Sequence, residues 1–331
     1  TIVLLCTCIL GRVSSTPMVK LSSGYEMPAM GFGTWWLTPD ETEEVVTNAL
    51  NSGYKYIDTA FIYGNEKQVG KAIRNYIAKG GKRKDLFVLT KLPSFGNRPE
   101  DVEFYMKLSL KNLGLKYIDM YLIHEPLAVK RNHETPESNL PFLFDKDGHM
   151  EFDYNIDHLG VWKQMEKQVR AGRTKSIGIS NFNSTQIMNI MNHAEIMPSN
   201  LQIETQLYNQ QRKMRKFCAE NNIVLTAYSS LGGSPDSNFA KTPNAMDMGE
   251  PLNNPVVRKI AENRNMTTAQ ILLRHLMQEG LVVIPKSRHP DRIKSNREIL
   301  NLQLSEFELK QLDNLDLGED GRIYDTWNIF G

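Results

Sequence analysis

Apolar and polar positions along the chain change period again and again, and the changes predict alternating strands and helices. Val19 to Leu21 and Tyr25 to Met27 flank Ser22-Ser23-Gly24, the pattern of a small hairpin. A short strand follows over 30–35. Thr38-Pro39-Asp40-Glu41 has the parts of a helix start: a capping threonine, proline at the first helical position and a glutamate that reaches back. The helix carries Val45, Val46, Ala49 and Leu50 and stops at Gly53. Tyr56 and Ile57 form a short apolar run that ends at Asp58, an irregular segment follows, and Glu66 opens a helix with Val69, Ile73 and Ile77 four apart.

Downstream the rhythm repeats. Strands are expected over 86–90, ending at Lys91, over 118–123, ending at His124, and over 174–179, 201–204, 223–227 and 281–284. Helices are expected over 99–113, 159–171, 185–193, 211–221, 255–264, 267–278, 291–300 and 306–315. The strands read as continuous apolar runs, the mark of a parallel sheet buried on both faces. About eight strands, each followed by helix, predict an α/β fold, a (β/α)8 TIM barrel, with an N-terminal hairpin and long loops over 125–155 and 231–250. No shift in composition divides the body, so 16–331 is expected to be one domain.

The 331 residues, 40% of them hydrophobic, can bury a large core without metals or disulfides. A formal charge of +1 gives no reason to expect a nucleic-acid or membrane partner. The opening TIVLLCTCIL is too short to span a bilayer and, with small residues after it, resembles a secretory leader over 1–15; the alternative is a disordered or docked N-terminal arm on a cytoplasmic protein. If secreted, the sequons at Asn183 and Asn265 become candidate glycosylation sites. Two of the three cysteines, Cys6 and Cys8, fall in that leader, which leaves Cys218 without a disulfide partner. No histidine and carboxylate cluster has metal-ligand spacing, so no metal is expected. Gly31-Phe32-Gly33 meets Trp36 where a dinucleotide fingerprint needs a third glycine, which weakens a Rossmann reading.

On a barrel, Asp58, Lys91 and His124 end three successive strands, and Tyr63 lies on the loop after the first of them. All four then converge on one rim, where such barrels keep their chemistry. Singly, each has a structural explanation: a capping acid, a packed tyrosine, a solvated lysine, an edge histidine. The stretch Gly53 to Gly70 resembles the first signature of the aldo-keto reductases. Met165 through Lys175 to Ile177-Gly178-Ile179-Ser180-Asn181-Phe182 is similar to the second, and Ile284-Pro285-Lys286-Ser287 with Arg292, Ser295, Asn296 and Ile299 to the third.

The resemblance implies reduction of an aldehyde or ketone with NADPH, by a catalytic tetrad of Asp58, Tyr63, Lys91 and His124. Tyr63 is then the acid. Lowering a phenol by about three pKa units takes roughly 4 kcal/mol, and a Lys91 ammonium held by Asp58 is expected to supply much of it. The same resemblance assigns Ser180, Asn181 and Gln206 to the nicotinamide carboxamide and Tyr228 to its ring. It puts Ser229 and Leu231 over the pyrophosphate, Lys286, Ser287 and Arg292 around a 2′-phosphate, and Asn296 on the adenine. Ser295 stands where many relatives have an acid. Trp35 is expected to be a pocket wall. Glu125 follows the histidine where an aromatic residue is frequent, and either makes the pocket polar or points into the loop. The chain as a whole resembles arthropod 3-dehydroecdysone reductases, with a generalist aldehyde or α-dicarbonyl reductase as the main alternative and a non-catalytic cofactor-binding role as another. A Schiff-base aldolase using Lys91 is a further barrel option. A small-molecule carbonyl is the expected partner, and relatives of this plan are often monomers.

Overall fold

The computed structural model describes residues 16–130, 151–233 and 250–324. The leader, its two cysteines, Trp327, Phe330 and the central parts of both long loops lie outside the described residues. The hairpin pairs β1 (Met18–Lys20) with β2 (Glu26–Pro28) antiparallel. Eight parallel strands follow, in the order β12-β11-β10-β9-β6-β5-β4-β3. They are β3 (Phe32–Gly33), β4 (Tyr56–Asp58), β5 (Phe87–Leu92), β6 (Ile118–Ile123), β9 (Thr174–Ser180), β10 (Asn200–Glu204), β11 (Val224–Tyr228) and β12 (Val282–Val283). The ends of this sheet meet. Met30 pairs parallel with Val283, the Gly31 N–H donates to the Val283 carbonyl at 2.8 Å, and Val283 donates to Ala29 at 3.1 Å. The result is the predicted (β/α)8 barrel.

Helices α1 (Pro39–Asn51), α2 (Glu66–Ala78), α3 (Val102–Leu113), α4 (His158–Arg170), α5 (Ser184–Met191), α6 (Arg212–Glu220), α7 (Pro255–Arg264), α8 (Thr268–Gln278), α9 (Pro290–Arg297) and α10 (Glu306–Asp313) follow the expected pattern. The start of α1 is fixed as its sequence predicts, with the Thr38 N–H donating to the Glu41 carboxylate at 2.9 Å. Helix α3 begins later than expected. Asn97 is tied to the carbonyls of Glu125 and Leu127, and Arg98 to Phe95 and Asp153, so the chain entering α3 is held in turns. A two-stranded ribbon, β7 (Ala128–Val129) with β8 (Phe152–Asp153), spans the base of the first long loop and was not legible in its irregular composition.

Side chains inside the ring grade from apolar to polar. Leu21 and Met27 of the hairpin pack with Tyr56, Phe87, Leu89, Met120, Leu122 and Val282 in one buried cluster. Each fully buried side chain of this size stabilises the fold by about 1.5–3 kcal/mol. Gly31 is required there, since a Cβ would lie 2.2 Å from the Tyr56 ring. Toward the carboxyl ends of the ring's strands the inward positions become Asp58, Lys91, Ser180, Gln202 and Glu204, all buried.

Buried Glu204 pins the C-terminal segment across this polar end. Its carboxylate accepts the backbone N–H groups of Ile323 at 2.8 Å and Tyr324 at 3.1 Å, and the Gln206 amide donates to the Gly321 carbonyl. Removing the carboxylate leaves two buried amides unpaired, at about 1–3 kcal/mol each. Glu204→Ala is therefore expected to destabilise the protein and to speed amide hydrogen exchange at 321–324 above all; protection unchanged there would refute the anchoring.

Candidate active site

Parallel pairing sets the geometry. Asp58 ends β4 opposite Leu89, and Lys91 lies one turn of the pleat further along β5, opposite Leu122. Lys91 thus sits within its strand rather than just beyond it, and points into the ring with no exposed surface. Its Nζ donates to Asp58 Oδ1 at 2.6 Å, to the Thr59 carbonyl at 3.0 Å and to the Tyr63 hydroxyl at 3.4 Å. Tyr63 stands in a short 3-10 turn (Phe61–Tyr63) that Gly64 closes in the left-handed region. His124 continues β6, its N–H bonded to the Leu92 carbonyl, and its ring meets Tyr63 edge-on with 5.7 Å between centroids. The four side chains come together at one mouth of the barrel.

Asp58 is held by more than Lys91. Its Oδ2 accepts from Gln202 Nε2 at 2.7 Å and from the Tyr56 hydroxyl at 2.9 Å, and its backbone carbonyl accepts from Thr34. Removing an ion pair from water is costly unless the remaining lone pairs are satisfied. Here they are.

Electrostatics correct one expectation. Burial holds the Tyr63 phenol well above its usual pKa of 10, with Asp58 and Glu125 pushing the same way. The resting phenol therefore keeps its proton, because burial outweighs the pull of the neighbouring Lys91. Burial also pulls Lys91 down, against the opposing pull of Asp58. His124 is held well below 6.5 by burial and by the Lys91 charge, so it is a neutral imidazole. Because Lys91 donates to the phenolic oxygen, the Tyr63 proton is left to point elsewhere.

A second group flanks the first. Asn181 adopts φ 65°, in the left-handed region that non-glycine residues seldom occupy and that recurs at working sites. Its Nδ2 lies within hydrogen-bond reach of the His124 carbonyl, Glu125 Oε1 and Ser180 Oγ, and its Oδ1 accepts from the Tyr228 hydroxyl at 3.0 Å. Ser229, after Tyr228, also has positive φ, 53°, and its carbonyl closes a turn with Gly232 beside half-buried Leu231. Trp35 packs edge-on against Tyr324, 5.7 Å between centroids, which puts the anchored tail against this expected wall.

Lys286 and Ser287 lie on the loop leading to α9, where the Ser287 hydroxyl accepts the His289 N–H. Arg292 and Asn296 are one turn apart on that helix. Arg292 is exposed and makes no ion pair among the described residues, while Asn296 is buried. Neighbouring Arg288, in contrast, is committed to Glu41. A free guanidinium, a hydroxyl and a lysine at a helix start form a donor set suited to a phosphate. No group of histidine, cysteine and carboxylate side chains among the described residues is arranged to hold a metal.

Gln206 is not brought to the site. Its amide is spent on Gly321 and on the Tyr208 N–H, closing the turn beyond β10. Gln202 lies at the cluster instead, paired in register with Ser180 and bonded to Asp58. Asn200, Gln202 and Glu204 alternate along one strand whose five residues are all buried, and the Gln202–Asp58 bond shows that this set faces the interior of the ring.

The Aldo/keto reductase family model matches residues 29–317. Human aldo-keto reductase family 1 member C2 is 40% identical over 306 residues, 90% of this chain and 91% of that protein. The NAD(P)H-dependent D-xylose reductase I,II of Candida tropicalis is 37% identical over 315 residues, 94% of this chain and 95% of the relative. The solved aldose reductase of Schistosoma japonicum superposes with a TM-score of 0.81 at 36% identity, covering 92% of this chain and 93% of the other. Strand order, the cluster at the barrel mouth and likeness over nearly the whole length agree: this chain belongs to the aldo/keto reductase family.

Proposed function

We propose that the protein is an NADPH-dependent reductase of aldehydes or ketones, with 16–331 as one catalytic domain acting as a monomer. The observation that carries this is the buried Lys91–Asp58 pair touching the Tyr63 hydroxyl beside a neutral His124. The relatives named for NAD(P)H support the choice of cofactor. Ser180, Asn181, Gln202 and Tyr228 would hold the nicotinamide, Ser229 and Leu231 the pyrophosphate, Lys286, Ser287 and Arg292 the 2′-phosphate and Asn296 the adenine. The cofactor, when bound, supplies a hydride to the carbonyl carbon.

The chain's own residues do the rest. His124, uncharged, donates one ring N–H to the carbonyl oxygen and fixes its direction. Tyr63 gives its proton to that oxygen as the carbon–oxygen double bond is lost. A phenol is intrinsically a far stronger acid than the aliphatic alcohol being formed, and the alkoxide that takes the proton shares the same buried surroundings. The transfer is downhill without a lowered Tyr63. Lys91, already donating to the phenolic oxygen, stabilises the phenolate left behind until solvent returns the proton.

Two charge-assisted contacts to a 2′-phosphate, at about 1.5–3 kcal/mol each, give a preference for NADPH over NADH of a hundredfold or more. Arg292→Ala is expected to erode that ratio at least tenfold, chiefly through KM for NADPH. Equal use of the two cofactors by the wild type would contradict the assignment. For the substrate, a 3-ketosteroid such as 3-dehydroecdysone is the specific candidate. Its turnover should be compared with that of an aldose, an aromatic aldehyde and a diketone; a steroid rate far below the others would remove it.

A further inference from the structure

Glu125 follows His124 directly, and its two oxygens differ. Oε1 accepts from Asn181 Nδ2 at 2.9 Å, and Asn181 is locked in turn by Tyr228. Oε2 is shielded from solvent and has no hydrogen-bond partner among the described residues. Its charge is felt by Tyr63, Lys91 and Tyr228, so the carboxyl belongs to the site and not to the loop beyond it. A buried polar atom left without a partner is costly, and one at the rim of a reaction site gains its partner from what binds there.

Burial pushes the Glu125 carboxyl up to about 8. Near neutrality Oε2 therefore passes between a donating acid and an accepting carboxylate. A hydroxyl is a small neutral group that can pair with both, accepting from the first and donating to the second. A methyl group pairs with neither, and a substrate carboxylate is repelled by the ionised form.

We propose that Glu125 Oε2 is a substrate-recognition atom that selects carbonyl compounds bearing a hydroxyl group near the carbonyl over apolar analogues of the same size. This rests on the reductase reading above, and it narrows the substrate class to hydroxylated aldehydes and ketones. The test is kcat/KM with NADPH on matched pairs: glycolaldehyde against propanal, and 3- and 4-(hydroxymethyl)benzaldehyde against the corresponding ethylbenzaldehydes. The wild type is expected to favour the hydroxylated member of at least one pair by about tenfold or more. Glu125→Gln, which keeps donor and acceptor, should retain that preference. Glu125→Leu should reduce it to within about twofold, with thermal melts confirming that both variants fold. Equal rates within every pair for the wild type, which needs no variant to fold, would overturn the proposal, as would an undiminished preference in Glu125→Leu. Turnover of none of these aldehydes would overturn the reductase reading itself, and this inference with it.

Discussion

Tyr63→Phe is expected to lower carbonyl reduction by roughly two to four orders of magnitude, the range typical of a lost general acid, while NADPH still binds. The substitution removes one oxygen at the edge of the cluster and leaves the ring in its edge-on contact with His124. Lys91 loses only its longest contact and keeps Asp58 and the Thr59 carbonyl. The fold should therefore be undisturbed. The discriminating measurement pairs single-turnover reduction with quenching of protein fluorescence by NADPH. Loss of the first with the second intact supports the role given to Tyr63; turnover within a few fold of wild type would end it.

Asp58→Ala should cost both activity and stability. Removing one partner of a buried ion pair costs about 3–5 kcal/mol, because the other charge stays desolvated. Here Gln202 and Tyr56 lose their acceptor as well. The pH dependence has a definite sign. Burial already pulls Lys91 down and Asp58 opposes it, so the variant's lysine falls further below its unfolded value. An amine depressed in the folded state destabilises the fold fully below its folded pKa, and the penalty disappears as pH rises through its unfolded value near 10.4. The variant's melting temperature should therefore climb between neutrality and pH 10 more steeply than that of the wild type. A flat difference would mean that the pair does not contribute as described.

How far the site could be read from the chain depended on how local each signal was. Asp58, Lys91 and His124 announce themselves at the ends of apolar runs, because a polar group there interrupts a pattern, and Tyr63 follows Asp58 on the loop of the same signature stretch. Gln202 does not, since a glutamine inside a strand looks the same whether it faces a helix or the ring, and only the pairing with Ser180 decides. Gln206 carries the same side chain four residues on, beyond the strand end, where it caps a turn. The acidity of Tyr63 escaped for a different reason. Proximity to a cation can be inferred from spacing, but the opposing cost of burial depends on how completely the mouth is covered. Ribbon β7/β8 and the Glu204 anchor join segments far apart in sequence, and periodicity carries no such information.

The place where the ring shuts has a bearing on how the protein is made. Met30 meets Val283 across roughly 250 intervening residues, a separation that slows folding because loop-closure entropy is spent before the contact rewards it. On a ribosome the edge of β3 has no neighbour on that side until β12, roughly 250 residues downstream, has emerged. For that interval the nascent chain presents an open sheet margin able to pair with another copy. Expression at low temperature or with a holdase chaperone should raise the soluble yield more than any change at the catalytic mouth.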